Sequence, residues 1–153
     1  MNSTLLEHGL PLLKLLLAYA LALPVAINRE RYSRIMGLRT FPLVAMAACA
    51  YVLIADALFG GGDPNAMARI IQGILTGIGF IGGGAILKNG DRVRGTATAA
   101  TIWTLGALGV SVAVGQWALA VALSLVAWLT LSLMVEVKQA MEHEPEREDR
   151  LEE

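Results

Sequence analysis

Residues Leu10–Ile27 read LPLLKLLLAYALALPVAI, eighteen residues with one charged side chain, Lys14. As a helix at about 1.5 Å per residue the run extends roughly 27 Å, close to the ~30 Å hydrocarbon core of a bilayer. Similar apolar stretches follow at 41–59, 64–87, 97–114 and 117–135. They are continuous, without the strict alternation of lipid-facing strands, so they read as helices and not as a barrel. The 153 residues are 56% hydrophobic and 16% charged, where soluble proteins carry about a quarter charged residues. The expected fold is therefore all-α, a polytopic membrane bundle of about five transmembrane helices. Residues 1–137 form one transmembrane domain, and 138–153 form an acidic, flexible tail.

Local chemistry supports these boundaries. Thr40 and Pro42 mark the start of the second span, and Asp63 with Pro64 marks that of the third, each a cap candidate followed by a proline a helix start tolerates. Trp117 opens the fifth span as an interfacial aromatic. Segment 28–40 holds Arg29, Arg31, Arg34 and Arg39, and 88–95 holds Lys88, Arg92 and Arg94, whereas the opposite connections 60–65 and 115–116 hold no basic residue. Positive residues stay on the cytoplasmic side, which predicts a periplasmic N-terminus and a cytoplasmic C-terminus. Residues 1–135 carry a net charge of +4 and residues 136–153 one of −5, a basic body with an acidic tail.

Several functions are disfavoured. The single cysteine, Cys49, permits no intramolecular disulfide. His8 and His143 lie near opposite ends, so no transition-metal cluster is expected. The first span lacks a basic leader and a cleavage pattern, which predicts that it stays in the mature protein. Gly77-Ile-Gly79-Phe-Ile-Gly82 fits GxGxxG, but that motif needs a preceding strand and an acid about 20 residues on, so nucleotide binding is unsupported. No nucleophile and base pair is visible, and the chain reads as non-enzymatic, with no nucleic-acid partner.

The third span holds the unusual chemistry. Gly73, Gly77, Gly79, Gly82, Gly83 and Gly84 fall within twelve residues. Such glycines let helices approach closely, within the chain, with a membrane partner or with a second copy. Arg69, Gln72, Thr76, Gly79 and Gly83 recur at three and four residues, forming a polar-to-small stripe that must face protein or water. On the fourth span Thr98, Thr101, Thr104 and Ser111 fall on or near one face, and such hydroxyls mostly bond their own backbone or a neighbour. Asp56, Asp63 and Arg69 fall toward the outer ends of spans two and three. An Asp56/Arg69 pair with Asp63 as a helix cap would satisfy them; the alternative is a cation-attracting mouth, with Asp56 and Asp63 as weak magnesium ligands. Lys14 is expected to snorkel. The arginines of segment 28–40 serve topology and could also meet anionic lipid headgroups.

Gly37-Leu-Arg-Thr40, Arg69 leading into Gly77-Ile-Gly-Phe-Ile-Gly-Gly-Gly-Ala-Ile-Leu87, and Val93-Arg-Gly-Thr-Ala-Thr-Ala-Ala-Thr-Ile-Trp103 together resemble the MgtC/SapB family of bacterial inner-membrane proteins, over about residues 10–135. The resemblance implies a role in magnesium homeostasis and in adaptation to low magnesium or acid, and for some members action on the membrane ATP synthase. It places function at Arg29, Glu30, Arg39, Asp63, Arg69, Gly77, Gly79, Gly82, Gly84, Gly95 and Thr98. Asn28 stands where the family carries the first acid of Glu-Arg-Glu, and the acidic tail stands where better-known members carry a cytoplasmic domain. Magnesium is the only cofactor the resemblance suggests. The expected function is a non-enzymatic regulator acting through helix association with a membrane partner, the alternative a cation transporter or channel subunit.

Overall fold

The structure is a computed structural model that describes residues 2–32, 36–60, 63–90 and 92–143. Five helices, α1 (Asn2–Tyr32), α2 (Phe41–Phe59), α3 (Pro64–Gly84), α4 (Thr96–Ala113) and α5 (Trp117–His143), are joined between α3 and α4 by a short hairpin of β1 (Leu87–Asn89) and β2 (Arg92–Arg94). All five helices are long and apolar enough to cross a bilayer. The chain is a multi-pass membrane protein.

Helix α4 is the centre of the bundle: it packs against each of the other four helices, and 56% of its span is buried, against 17% for α3 and 11% for α5. Ile102, Leu105, Leu108 and Val112 form its fully buried ridge. Two glycines bring α4 against its neighbours. A Cβ added at Gly109 would land on the Ala45 carbonyl oxygen of α2, and one at Gly106 on the Ile78 side chain of α3. Helix α1 buries Ala18, Ala22, Val25 and Ala26, a small-residue stripe at helical spacing that suits close packing in lipid, where helix association rests on fit and not on water exclusion.

Hydrogen bonds between helices fix their directions. Lys14 Nζ, in the first half of α1, donates to the Ala113 carbonyl at the end of α4 over 2.6 Å, while Arg29 near the end of α1 reaches Thr98 at the start of α4; the two helices run antiparallel. Ser124 Oγ donates to the Leu21 carbonyl over 2.7 Å, and Asn28 Nδ2 to Ser132 Oγ over 2.8 Å, so α1 and α5 run parallel. Lys14 does not simply snorkel: its ammonium satisfies a free carbonyl at the negative end of the α4 dipole.

Three boundaries differ from the sequence reading. Helix α3 ends at Gly84 and not at Leu87, because the chain turns into the hairpin, where Leu87 pairs with Arg94 and Gly90 takes a left-handed φ of 60°. Helix α1 begins well before Leu10. Helix α5 continues to His143, through the first residues of the expected tail; residues 144–153 lie outside the described residues, as does Arg34.

Candidate functional site

The ends of α1, α3 and the hairpin, and the starts of α2 and α4, share one side of the bundle, the basic side. There Arg29 turns inward. Its Nη2 donates to Thr98 Oγ1 over 2.6 Å, and Thr98 is 0% exposed. Neighbouring Asn28, 8% exposed, bonds Ser132. Asn28 Oδ1 and Arg29 Nε are buried and have no hydrogen-bond partner among the described residues. The result is a polar knot that ties α1 to α4 and α5 inside an otherwise apolar bundle. Arg29 continues the stripe of Ala22 and Ala26 at helical spacing, the pattern that identifies it as inward-facing and that the arginine-rich composition of the segment obscured.

Glu30, next in the chain, points to solvent and accepts from the Leu38 N–H over 3.1 Å. It also lies against Gly37, where an added Cβ would come within 2.5 Å of its carboxylate. Glu30 thus holds the turn at Gly37–Thr40 that launches α2, and with it the position of exposed Arg39.

On the opposite side Asp63 caps α3, accepting from Asn65 N–H over 2.9 Å and Ala66 N–H over 3.2 Å. Replacing Asp63 with alanine is expected to cost about 1 kcal/mol, typical of a lost N-cap, and hydrogen exchange at residues 65–67 should show the first turn fraying. Asp56 and Asp63 line one small pocket of about 190 Å³. Arg69 is not part of it; it lines a separate groove between α2 and α3 with Arg39. The expected Asp56/Arg69 pairing is therefore replaced by an Asp56/Asp63 juxtaposition. Asp63 is the extended residue just before α3, where its carboxylate is engaged by the first turn, whereas Arg69 lies within the helix and lines the other groove. Among the described residues no three His, Cys, Asp or Glu side chains gather as a metal site would require.

Four hydroxyls of α3 and α4 stay within their own helices. Thr101 donates to Ala97 over 2.6 Å, Thr104 to Ala100 over 3.1 Å, Ser111 to Ala107 over 2.8 Å and Thr76 to Gln72 over 2.9 Å, each to the carbonyl one turn back. Thr98 departs from this pattern by accepting from Arg29.

The candidate packing glycines divide sharply. Gly82 contacts Ala99 of α4, and Gly95, at φ +88°, lies against the Ala85 carbonyl. At Gly73, Gly77, Gly79, Gly83 and Gly84 an added Cβ would meet nothing within 4 Å, so these five have no packing partner among the described residues. Gly106 and Gly109, which pack, were not singled out by the sequence. Helix α3 consequently shows two open faces. One carries Gly73 and Gly77 in the groove shared with α2. The other, about 100° away round the helix, carries Gln72, Thr76, Gly79 and Gly83, with Gln72, Thr76 and Gly83 exposed.

The pattern described as MgtC family matches residues 15–140, from within the first span through the fifth, and takes in nearly every residue just placed. The chain belongs to the MgtC family. It is 38% identical over 132 residues to Protein SrpB of Synechococcus elongatus, covering 78% of this chain and 71% of that one. To Protein MgtC of Salmonella typhimurium it is 34% identical over 134 residues, 88% of this chain and 56% of the relative. A Protein MgtC of Brucella abortus is 40% identical over 93 residues, 61% of this chain and 38% of the relative. The chain thus spans little more than half the length of the Salmonella MgtC protein. No solved structure shows a significant match.

Proposed function

We propose that this MgtC-family member is a non-enzymatic regulator in the bacterial inner membrane, tied to magnesium homeostasis, that docks the Gln72–Thr76–Gly79–Gly83 face of α3 on a transmembrane helix of another membrane protein. The observation that carries this reading is Gln72. It is exposed and lies eight residues into α3, about 12 Å along the helix, a depth at which a spanning helix meets hydrocarbon. An amide there gains from a partner that can hydrogen-bond it, and in lipid such polar groups and small residues are the usual means of helix association. Gly79 and Gly83, one turn apart beside it, leave room for a partner backbone. Family resemblance suggests the membrane ATP synthase as one such partner. In this reading the basic side faces the cytoplasm.

The test is native-gel analysis of membranes carrying the full chain. Gly79→Leu and Gly83→Leu are expected to abolish the larger complex and Gln72→Leu to weaken it. Gly73→Leu, on the other open face, should leave it in place. Complexes that survive all three changes to the docking face would sink the proposal.

The Asp56/Asp63 pocket favours a second reading, a cation mouth belonging to a transporter. Against it, the ridge of Ile102, Leu105, Leu108 and Val112 leaves the bundle interior dry along α4, so one chain encloses no polar path along that ridge. Proteoliposomes holding the purified chain are expected to show no magnesium flux above empty liposomes, beside a transporter control that does. Saturable flux lost in Asp56→Asn/Asp63→Asn would establish the transporter instead.

A further inference from the structure

Between α2 and α3 runs an open groove of about 770 Å³. Leu43 and Ala47 stand on one wall and Ile70 and Ile74 on the other, and Gly73 and Gly77 line it without side chains that would fill it. Along α2 the lining runs from Thr40 to Tyr51, about 16 Å of helix. One leaflet of a bilayer core is about 15 Å deep. The groove therefore has the length of a single leaflet and opens at its polar end on Arg39 and Thr40.

We propose that this groove holds an acyl chain of one anionic phospholipid from the leaflet on the basic side, with the lipid phosphodiester set against the Arg39 guanidinium. Charge and shape agree on that occupant. Arg39 lies just before the first residue of α2 at headgroup level, is exposed, and is placed there by the turn that Glu30 holds through the Leu38 N–H. Arg31, Lys88 and Arg94 are exposed on the same side but do not line the groove, which leaves Arg39 as the basic group at its mouth. A zwitterionic lipid fills the same apolar slot but brings an ammonium group that offsets this gain. A lipid from the other leaflet would have to place its headgroup near Arg69, which lies five residues inside α3, about 7.5 Å below the start of the helix. Arg69 is better served by extending toward water on its own side.

This inference does not depend on the partner helix proposed above, because Gly73 and Gly77 lie on a different face of α3 from Gly79 and Gly83. Native mass spectrometry of the full chain, released from nanodiscs with equal amounts of phosphatidylglycerol and phosphatidylcholine of matched chains, reads the occupant directly. A single phosphatidylglycerol adduct is expected to exceed the phosphatidylcholine adduct about fivefold, the effect of roughly one arginine near a charged headgroup. Arg39→Gln, at an exposed position, should bring the two to parity, while Arg69→Gln keeps the preference. Gly73→Leu/Gly77→Leu should remove both adducts, and Gly83→Leu should remove neither. Soluble glycerol phosphate should not compete. Parity in the unmodified chain, a preference that survives Arg39→Gln, one lost instead in Arg69→Gln, competition by glycerol phosphate, or a second copy of the chain released by the groove-filling change would each overturn the proposal.

Discussion

Gly109→Ala is expected to lower the melting temperature of the detergent-solubilised chain by about 6–12 °C, while Gly73→Ala leaves it unchanged or raises it. The two changes add the same methyl group to a glycine inside a helix. At Gly109 the new Cβ falls on the Ala45 carbonyl oxygen and within 3.0 Å of the Ala48 Cβ. The oxygen belongs to the α2 backbone and cannot rotate away, so α2 and α4 must separate along their whole contact. Overpacking of a tight interface costs about 1–3 kcal/mol, and the rigid neighbour places this case at about 3. Each kcal/mol moves the midpoint of a chain of this size by roughly 2–4 °C. At Gly73 nothing lies within 4 Å, and alanine is the better helix former by about 0.8–1 kcal/mol. Equal melting temperatures for the two variants would mean that α2 and α4 are not packed as closely as the Gly109 contact requires.

The same contrast shows what the sequence could and could not reveal. The five spans were legible because apolar length alone selects a membrane helix, and Asp63 was legible as a cap because its neighbour Pro64 and the apolar run behind it leave little else for a carboxylate to do there. Close-packing glycines were legible only as a capacity. Spacing such as that of Gly73 and Gly77 says that a face permits approach; which face meets a neighbour depends on topology. The glycine-dense α3 drew the eye, whereas in the bundle it was the central helix, with Gly106 and Gly109 three residues apart, that used its glycines against α2 and α3. The hairpin at Leu87–Arg94 carried a readable sign in Gly90, whose left-handed φ of 60° opens the turn after the paired Asn89, but Leu87 extended the apolar run and masked the end of α3. That Asp56 shares a pocket with Asp63 and not with Arg69 was not legible, because a place near the same end of two neighbouring helices does not say which side chains meet.

Thr98→Val is expected to destabilise the chain by about 1.5–3 kcal/mol, the usual worth of a hydrogen bond to a charged group, and Arg29→Met should recover much of that loss in the double variant. Valine keeps the shape of threonine in a site that is 0% exposed but removes the oxygen that accepts from Arg29. The guanidinium then keeps its charge in the bundle with Nε already unpartnered, and breaking a buried polar pair from one side costs more than removing both members. Arg29→Met preserves much of the side-chain length and removes the charge together with its need for a partner. A double-mutant cycle read by thermal unfolding should therefore give a coupling of about 1.5–3 kcal/mol between the two positions. Thr101→Val is the comparison that isolates the effect, since Thr101 is also buried but its hydroxyl bonds only the Ala97 carbonyl of its own helix. If Thr98→Val costs no more than Thr101→Val, Arg29 is not anchored through Thr98. If the coupling is found, α1 is locked to the first turn of α4 at the basic end. Asn28 then extends the lock to α5 through Ser132, and rigid attachment of these three helices leaves α3, with its two open faces, as the helix free to meet lipid and partner.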